Sequence, residues 1–310
     1  MNLEEPARTA LKQCIQLEQD ESVVIVTDEE RERIGDALYR VAENITDDVM
    51  KLTYPPSDRH GEEPPSGVHE VMQSKDVFVA PTTKSVTHTR AVSNAVESGS
   101  RGSTLPAITE EAFELGLSAD YDKIRENCTS LHEQVKNAST IRFVTDKGTD
   151  LEFEPRDWHL DTGDISQSGT YANLPSGEIF TAPKSVSGTI VYDGSIRPHG
   201  RLSHDVEVKV EDGYVTDILD DDLREMIESA EEEAGKAARN LAETAIGANP
   251  AVSELTGNIL LDEKAAGTVH VAIGDNINFG GDVEAPIHED GVIQNPTVYA
   301  DGEEVTLPDF

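Results

Sequence analysis

The sequence is poor in cysteine, in aromatic residues and above all in basic residues. Two of its 310 residues are cysteines, aromatic side chains make up 5%, and 25 lysines and arginines stand against 61 acidic residues. Two cysteines without a CxxC spacing exclude a disulfide framework. The shortage of positive charge argues against a nucleic-acid partner, because contact with phosphates needs a basic surface.

Long hydrophobic runs are also missing. No stretch approaches the roughly 18 apolar residues that a membrane span requires. Residues 1–21 lack the basic and apolar regions of a signal peptide. We therefore expect a cytoplasmic protein with no membrane partner.

The HExxH, GxSxG and P-loop motifs are absent, and no glycine-rich phosphate fingerprint follows the first predicted strand.

Negative charge is what the chain has in excess. Its formal net charge is −36 and its isoelectric point lies near 4.4. The acidic residues are spread over helix-like and strand-like segments, for example at residues 220–222 and 231–233. Such a surface is typical of halophilic proteins, in which molar salt screens the repulsion between carboxylates. A patch for a cationic partner would instead be confined to one element.

The hydrophobic pattern divides the chain into two predicted domains. In residues 1–117, strand and helix patterns alternate, and short apolar runs such as residues 22–27 are typical of buried parallel strands, so we predict an open α/β sheet. Residues 118–310 have the pattern of an α+β, mostly antiparallel domain. Within it we predict a long helix over residues 221–244 and an edge hairpin over residues 295–306.

Two histidines and an aspartate near the C-terminus are the first candidate metal ligands. His270 lies in a predicted buried strand, and His288 and Asp290 lie two positions apart in an extended segment. Side chains two apart on a strand point to the same face, so His288 and Asp290 could form half of a metal site. The alternative is that each histidine is an ordinary core or loop residue.

Two carboxylates are further candidates. Glu178 follows a Pro-Ser-Gly turn at the start of an apolar strand, where an acid is costly to bury unless it is paired or bound to metal. Glu243 ends the predicted long helix, where the helix dipole disfavours a carboxylate. In so acidic a chain, both could instead be solvated. For residues 262–264 (DEK), and for His199 and His204, surface positions are the simpler interpretation.

Several blocks of the sequence together resemble the M29 family of thermophilic-type metallo-aminopeptidases. Their order and spacing across residues 140–300 are more specific than any single block. In chain order the blocks are residues 145–149 (TDKGT), 174–183 (LPSGEIFTAP), Glu243 with 247–250 (GANP), 262–264 (DEK), 267–274 (GTVHVAIG) and 285–290 (APIHED).

The resemblance implies an enzyme that releases N-terminal residues from peptides by means of a metal-activated water. The second domain would bind the metals and carry the catalytic residues, with ligands at Glu178, Glu243, His270, His288 and Asp290. In this scheme one carboxylate bridges two metals and a non-bridging carboxylate acts as general base, which gives Glu178 and Glu243 catalytic roles. The divalent metal would be zinc, cobalt or manganese. The substrate would be a small peptide, and the protein a dimer or larger homo-oligomer.

One stretch departs from the family pattern and leaves other functions open. The family's catalytic tyrosine follows the equivalent of His270 within a few residues, but residues 274–279 (GDNINF) contain no tyrosine. The chain also resembles a shorter branch that includes 2,5-dihydroxypyridine 5,6-dioxygenase. There, His270, His288 and Asp290 would hold one Fe(II), and the substrate would be a small aromatic molecule. A third possibility is a non-catalytic, metal-stabilised oligomerisation domain.

If the acidic surface is an adaptation to salt, the stability of the fold depends on ionic strength. We expect the thermal midpoint to rise between low salt and molar KCl, because screening weakens the repulsion among the carboxylates. Melting followed by circular dichroism measures the midpoint, and sucrose at equal osmolality is the control for a general solute effect. An unchanged midpoint in KCl would contradict the halophilic interpretation.

Overall fold

Alternating strands and helices build the first of two units in the computed structural model, which describes residues 2–309 (for Asn278, the backbone only). This unit runs to Asp122 and also includes Thr162–Ser176. Its strands are β1 Ser22–Asp28, β2 Asp48–Tyr54, β3 Val77–Thr82, β4 Arg101–Pro106 and β8 Tyr171–Asn173. Its helices are α1 Glu4–Arg8, continued by a π-helical turn at Thr9–Cys14, then α2 Glu32–Ala42, α3 Ser66–Ser74, α4 Arg90–Glu97 and α5 Glu110–Gly116.

The five strands form one parallel sheet in the order β2-β1-β3-β4-β8. Residues Val23 to Val26 of β1 are fully buried, as expected for a parallel strand that is covered on both faces. The residues of the edge strand β2 are instead exposed or half-buried, except for Tyr54. The sequence did not indicate that the chain would return to this sheet as β8. A domain boundary between residues 117 and 118 stays a prediction.

Two antiparallel sheets make up the second unit, which comprises Lys123–Asp161 and the chain from Gly177 onward. Its helices are α6 Tyr121–Val135 (which begins at the end of the first unit), α7 Asp221–Ala234 and α8 Ile259–Asp262. Its strands are β5 Ile141–Val144, β6 Asp150–Pro155, β7 His159–Asp161, β9 Glu178–Thr181, β10 Pro183–Tyr192, β11 Ser195–Ile196, β12 Gly200–Arg201, β13 Val206–Glu211, β14 Tyr214–Ile218, β15 Leu241–Gly247, β16 Val269–Gly274, β17 His288–Ile293, β18 Thr297–Ala300 and β19 Glu303–Glu304.

Each of these sheets has seven strands. The order in one, the companion sheet, is β14-β13-β10-β6-β5-β18-β19, and the order in the other, the site sheet, is β12-β11-β17-β16-β15-β9-β7. Tyr192 of the companion sheet is fully buried and donates its hydroxyl to the carbonyl of Val271 in the site sheet, at 3.2 Å. A Cβ at Gly291 would lie 2.3 Å from the Tyr192 ring, so this close approach requires glycine in β17.

These elements confirm the predicted fold class, an open α/β sheet followed by an α+β, mostly antiparallel region. The predicted edge hairpin forms from β18 and β19, joined through Asp301 and Gly302, both with positive φ as in a type I′ turn. Within residues 2–309, no helix combines the length and the apolar character needed to cross a membrane.

The predicted long helix over residues 221–244 is wrong in its last part. Helix α7 ends at Ala234, because Gly235 adopts φ +60°, and a 3₁₀ turn follows at Gly235–Arg239. The chain then enters β15, in which every residue from Leu241 to Gly247 is buried. Glu243 therefore lies within a strand and not at a helix end. The alanine-rich sequence favours a helix locally, but pairing with two neighbouring strands decides the conformation.

The interpretation of residues 262–264 as a surface turn is also wrong. Asp262 is fully buried, and its carboxylate accepts four hydrogen bonds from groups of the second unit. The donors are the Ser195 hydroxyl at 2.5 Å, the Thr256 amide at 2.7 Å, the Thr256 hydroxyl at 3.0 Å and the Gly257 amide at 2.7 Å. A single buried acid thus connects α8 to β11 and to the loop at Thr256.

Replacing Asp262 with alanine is expected to destabilise the protein by about 3 kcal/mol, because four donors lose a charged acceptor in a buried place. Urea unfolding at constant KCl measures the change in the free energy of unfolding. The matched control is Asp217→Ala on the exposed side of β14, for which we expect a change within about 0.5 kcal/mol. Equal unfolding midpoints for Asp262→Ala and wild type would contradict this account.

Candidate metal centre

Four neighbouring strands of the site sheet bring the five candidate ligands to one face. Glu243 of β15 lies opposite Ala272 of β16, which lies opposite Asp290 of β17. His270 and His288 precede Ala272 and Asp290 by two positions, so they share the face. Glu178, at the start of β9, lies opposite Gly247. Gly247 is four positions after Glu243 along β15, so these positions lie on the same face of the sheet.

Small residues between the ligands leave space on this face. Ala245, Gly247 and Ala272 occupy the positions between the histidines and the carboxylates. Gly247 also permits a close approach, because a Cβ there would lie 2.0 Å from the carbonyl oxygen of Ala265. This approach brings Lys264 to the end of β15, and the Lys264 carbonyl accepts the amide of Asn249, two residues beyond the strand, at 2.8 Å.

The ligand atoms form two groups that share Glu243. Nε2 of His270 lies 3.4 Å from Oε2 of Glu178 and 3.6 Å from Oε1 of Glu243. Nε2 of His288 lies 3.2 Å from Oε2 of Glu243 and 3.3 Å from Oδ1 of Asp290. In each group of three residues, one donor atom per residue lies within 4.8 Å of the others. Each oxygen of Glu243 therefore faces a different histidine.

Backbone carbonyls orient both imidazoles. Nδ1 of His270 lies 3.1 Å from the carbonyl of Glu263, and Nδ1 of His288 lies 2.7 Å from the carbonyl of Asp275. A carbonyl oxygen only accepts, so each Nδ1 carries a proton and donates it. The Nε2 atoms are then directed at the carboxylates. Metal-binding histidines are held in the same manner in other proteins.

The close charges shift the pKa values of all five residues. Burial alone would lower the pKa of His270, but Glu243 and Glu178 outweigh it and raise the pKa to about 9. The carboxylates likewise outweigh burial at His288 and hold its pKa well above the usual value. Burial would raise the pKa values of Glu243 and Asp290, yet the histidines lower both. At Glu178 burial prevails and raises the pKa to about 7.

Lys264 is a buried cation at the edge of the centre. Its ammonium contacts Oε1 of Glu178, lies 2.8 Å from Oε1 of Glu263 and lies 3.9 Å from Oδ2 of Asp161. Burial would lower the pKa of Lys264, but Glu178 and Glu263 outweigh it and raise the pKa well above the usual value. Lys264 therefore stays charged, and it is no surface residue.

The donor set fits a divalent cation. Among the described residues, Oε2 of Glu178 is a buried oxygen without a hydrogen-bond partner, although Nε2 of His270 lies 3.4 Å away. Glu178, Glu243 and Asp290 bring more negative charge to this face than Lys264 offsets. Imidazole nitrogens and carboxylate oxygens are ligands of zinc, cobalt, manganese and Fe(II). The residues that could hold such an ion are Glu178, Glu243, His270, His288 and Asp290.

Aromatic rings border the centre beside His288. The ring of Phe279 stacks on the His288 imidazole, with centroids 4.4 Å apart and planes 8° apart. Phe180 meets Phe279 edge to face at 5.6 Å, and His159 stacks on Phe180 at 5.2 Å. Phe279 follows the GDN turn, in the stretch that contains no tyrosine, and its ring has no hydroxyl to donate.

Sequence reasoning missed three features of this face. It favoured a surface turn for Lys264, which is buried, and it gave Phe279 no role. It also missed Arg197, which lies 2.8 Å from Oε2 of the buried Glu289. The only local signal was Lys264 itself, a base that directly follows two acids in an apolar stretch. His199 and His204 are not part of either group, because they lie against Asp220.

The sequence model of the thermophilic metalloprotease family (M29) matches residues 118–289, more than half of the chain. The protein belongs to this family. The matched range contains Glu178, Glu243, His270 and His288. No curated protein sequence gives a significant match.

Two solved structures share the fold over nearly the whole chain. The 2,5-dihydroxypyridine dioxygenase of Pseudomonas putida KT2440 has a TM-score of 0.79 at 18% identity, covering 98% of this chain and 95% of its own. Wild-type AmpT of Thermus thermophilus has a TM-score of 0.70 at 18% identity, covering 98% of this chain and 99% of its own. At such identity the likeness concerns the fold alone.

The metal-free M29 protein is expected to lose stability as the pH rises from about 6.5 to about 9. The pKa of His270 is raised from 6.5 to about 9, so its protonation stabilises the fold fully below the lower value and not above the higher one. The loss amounts to up to about 3 kcal/mol. The raised pKa of Glu178 acts in the same direction at lower pH. Urea unfolding in EDTA across this window measures the loss.

The control for this pH effect is His270→Gln, which replaces the titrating imidazole with an amide that does not titrate. We expect its stability to change less over the same window than that of wild type. A stability of the metal-free wild type that stays level or rises over the window would show that the imidazole is not held by the carboxylates as described.

Proposed function

We propose that this protein is a metal-dependent, aminopeptidase-like hydrolase that releases N-terminal residues from peptides. The observation that carries the proposal is the position of Glu243, whose two oxygens lie 3.6 and 3.2 Å from the Nε2 atoms of His270 and His288. A carboxylate shared between two groups of ligands is the arrangement that two neighbouring metal ions need. Membership of a metalloprotease family agrees with it.

Each residue of the centre then has a distinct task. Glu178 and His270 would hold one ion, His288 and Asp290 the other, and Glu243 would bridge them. When bound, two such ions polarise a carbonyl group and lower the pKa of a water molecule. Metal binding requires neutral imidazoles and ionised carboxylates. The hydrogen bonds from Nδ1 to backbone carbonyls already direct both Nε2 atoms at the carboxylates.

Glu178 is our candidate for the group that accepts a proton during hydrolysis. Burial raises its pKa to about 7 in the metal-free protein, whereas the histidines lower the pKa values of Glu243 and Asp290, so Glu178 is the carboxylate of the three that accepts a proton most readily. Lys264 occupies its Oε1, so Oε2 is the atom that would contact the ion or hold the proton. Lys264 also keeps this carboxylate in place, and we regard it as a positioning residue.

The dioxygenase activity is the second candidate, and Phe279 favours it. A flat ring stacked on His288 at 4.4 Å, followed by Phe180, suits a planar aromatic substrate better than a peptide. The single-iron site at His270, His288 and Asp290, which the resemblance to the dioxygenase implies, has less support. Among the described residues these three do not form one group of close donor atoms, since Glu243 lies between the two histidines.

Assembly into a dimer or larger homo-oligomer remains part of the proposal. The hairpin of β18 and β19 ends the companion sheet and offers an unpaired edge. A metal-stabilised domain without catalysis is the remaining alternative. It requires that His288→Ala lowers stability while the wild type turns over no substrate.

Metal analysis and two assays distinguish these functions. We expect two zinc, manganese or cobalt ions per chain and hydrolysis of amino-acyl anilides by the wild type. Glu243→Gln should lose metal and reduce kcat at least about 1,000-fold, because a ligand of both ions loses its charge. The matched control is Glu152→Gln on the exposed face of β6, for which we expect wild-type values.

Two results would contradict the hydrolase proposal. One Fe(II) per chain in anaerobically purified protein, with O₂ uptake on a dihydroxypyridine, would replace the hydrolase by the dioxygenase. Full metal content in Glu243→Gln would show that the charge of Glu243 is not needed to hold the two ions.

A further inference from the structure

A second cluster of nitrogen and oxygen donors lies in the second unit, outside the centre described above. His199 and His204 both direct Nε2 at the carboxylate of Asp220, at 2.9 Å from Oδ1 and 3.1 Å from Oδ2. The two imidazole rings meet edge to face, with centroids 5.5 Å apart. One donor atom from each residue lies within 4.8 Å of the others.

The carboxylate of this cluster is held in place by the start of a helix. Asp220 is the N-cap of α7, and its Oδ1 accepts the amide of Leu223 at 2.8 Å. The helix cap therefore holds an oxygen donor in one orientation before any ligand arrives.

The distances suit a small divalent cation. In a tetrahedral site with bonds of about 2.0 Å, neighbouring ligand atoms lie about 3.3 Å apart. The observed separations of 2.9 and 3.1 Å join the two nitrogens to different oxygens of Asp220, and each is close to that value. Nδ1 of His199 lies 4.0 Å from Oδ2 of Asp222, a carboxylate that could orient this ring from behind. His204 is half exposed, so an ion can enter and water can complete its coordination.

We propose that His199, His204 and Asp220 form a second divalent-metal site, with the nitrogen and oxygen donors that zinc prefers. The site joins residues 199–204, which include β12 of the site sheet, to the first turn of α7. It is independent of the proposed hydrolase, because none of its ligands belongs to the two groups around Glu243.

This site is connected to the candidate metal centre through Arg197. Arg197 lies in the same turn between β11 and β12 as His199, and it forms the ion pair with Glu289 at 2.8 Å. Its guanidinium also donates to the carbonyl of His288, at 3.3 Å. An ion that fixes the turn would therefore hold Arg197 against β17, beside one of the candidate ligands.

Zinc binding by the full chain tests the proposal. Chelator-treated protein is titrated with Zn²⁺ in competition with a chromophoric chelator, and with Co²⁺ followed by visible absorption. We expect wild type to bind one ion more per chain than His204→Ala. Asp220→Asn keeps the helix cap, since asparagine is an equally good N-cap, yet it should weaken this one site on the order of 100-fold.

Two controls separate this site from the centre. His132→Ala, on α6, removes an imidazole elsewhere in the unit and should bind as many ions as wild type. Glu243→Gln should retain the ion that His204→Ala loses, whether or not the hydrolase proposal holds. Unchanged zinc stoichiometry and affinity in both His204→Ala and Asp220→Asn, with folding verified by circular dichroism, would overturn the proposal. So would a wild-type affinity at this site weaker than about 1 mM.

Discussion

The second unit depends on how it accommodates the buried carboxylate of Glu243. An unpaired anion in such a position costs several kcal/mol, so the surrounding residues must supply positive charge. Two imidazoles face its oxygens, one on each side, and without metal their pKa values rise because they take on that role. The nearby fixed cation, Lys264, contacts Glu178 instead. When the imidazoles are neutral, as metal ligands must be, the carboxylates outnumber the one cation on this face, which is the condition under which divalent cations bind.

The backbone around this carboxylate is arranged to give it room. Ala245, Gly247 and Ala272 separate the ligands, and Gly247 lets the segment at Lys264 and Ala265 approach within contact of β15. Larger side chains at these positions would fill the space between the carboxylates. The same strands are tied to the companion sheet through Tyr192, so the face that carries the ligands is supported from behind by a packed core.

The fold by itself does not select the reaction. A protein named as a dioxygenase and the protein AmpT share it with this chain at equal sequence identity. The choice therefore rests on individual side chains. A shared carboxylate between two histidines favours two metals and hydrolysis, whereas Phe279 stacked on His288 favours a flat substrate. The two features differ in kind, since the first concerns the ions and the second the shape of the substrate.

The sequence by itself determined the fold class, the family and the five candidate ligands. Strand alternation placed His288 and Asp290 on one face because side chains on a strand repeat every two residues, which is a local property. Only the tertiary structure decided that Glu243 lies in a strand, that Lys264 is buried and that Phe279 stacks on His288. These depend on pairing between strands distant in sequence, which local propensity does not encode, and in β15 that pairing overrides an alanine-rich helical pattern.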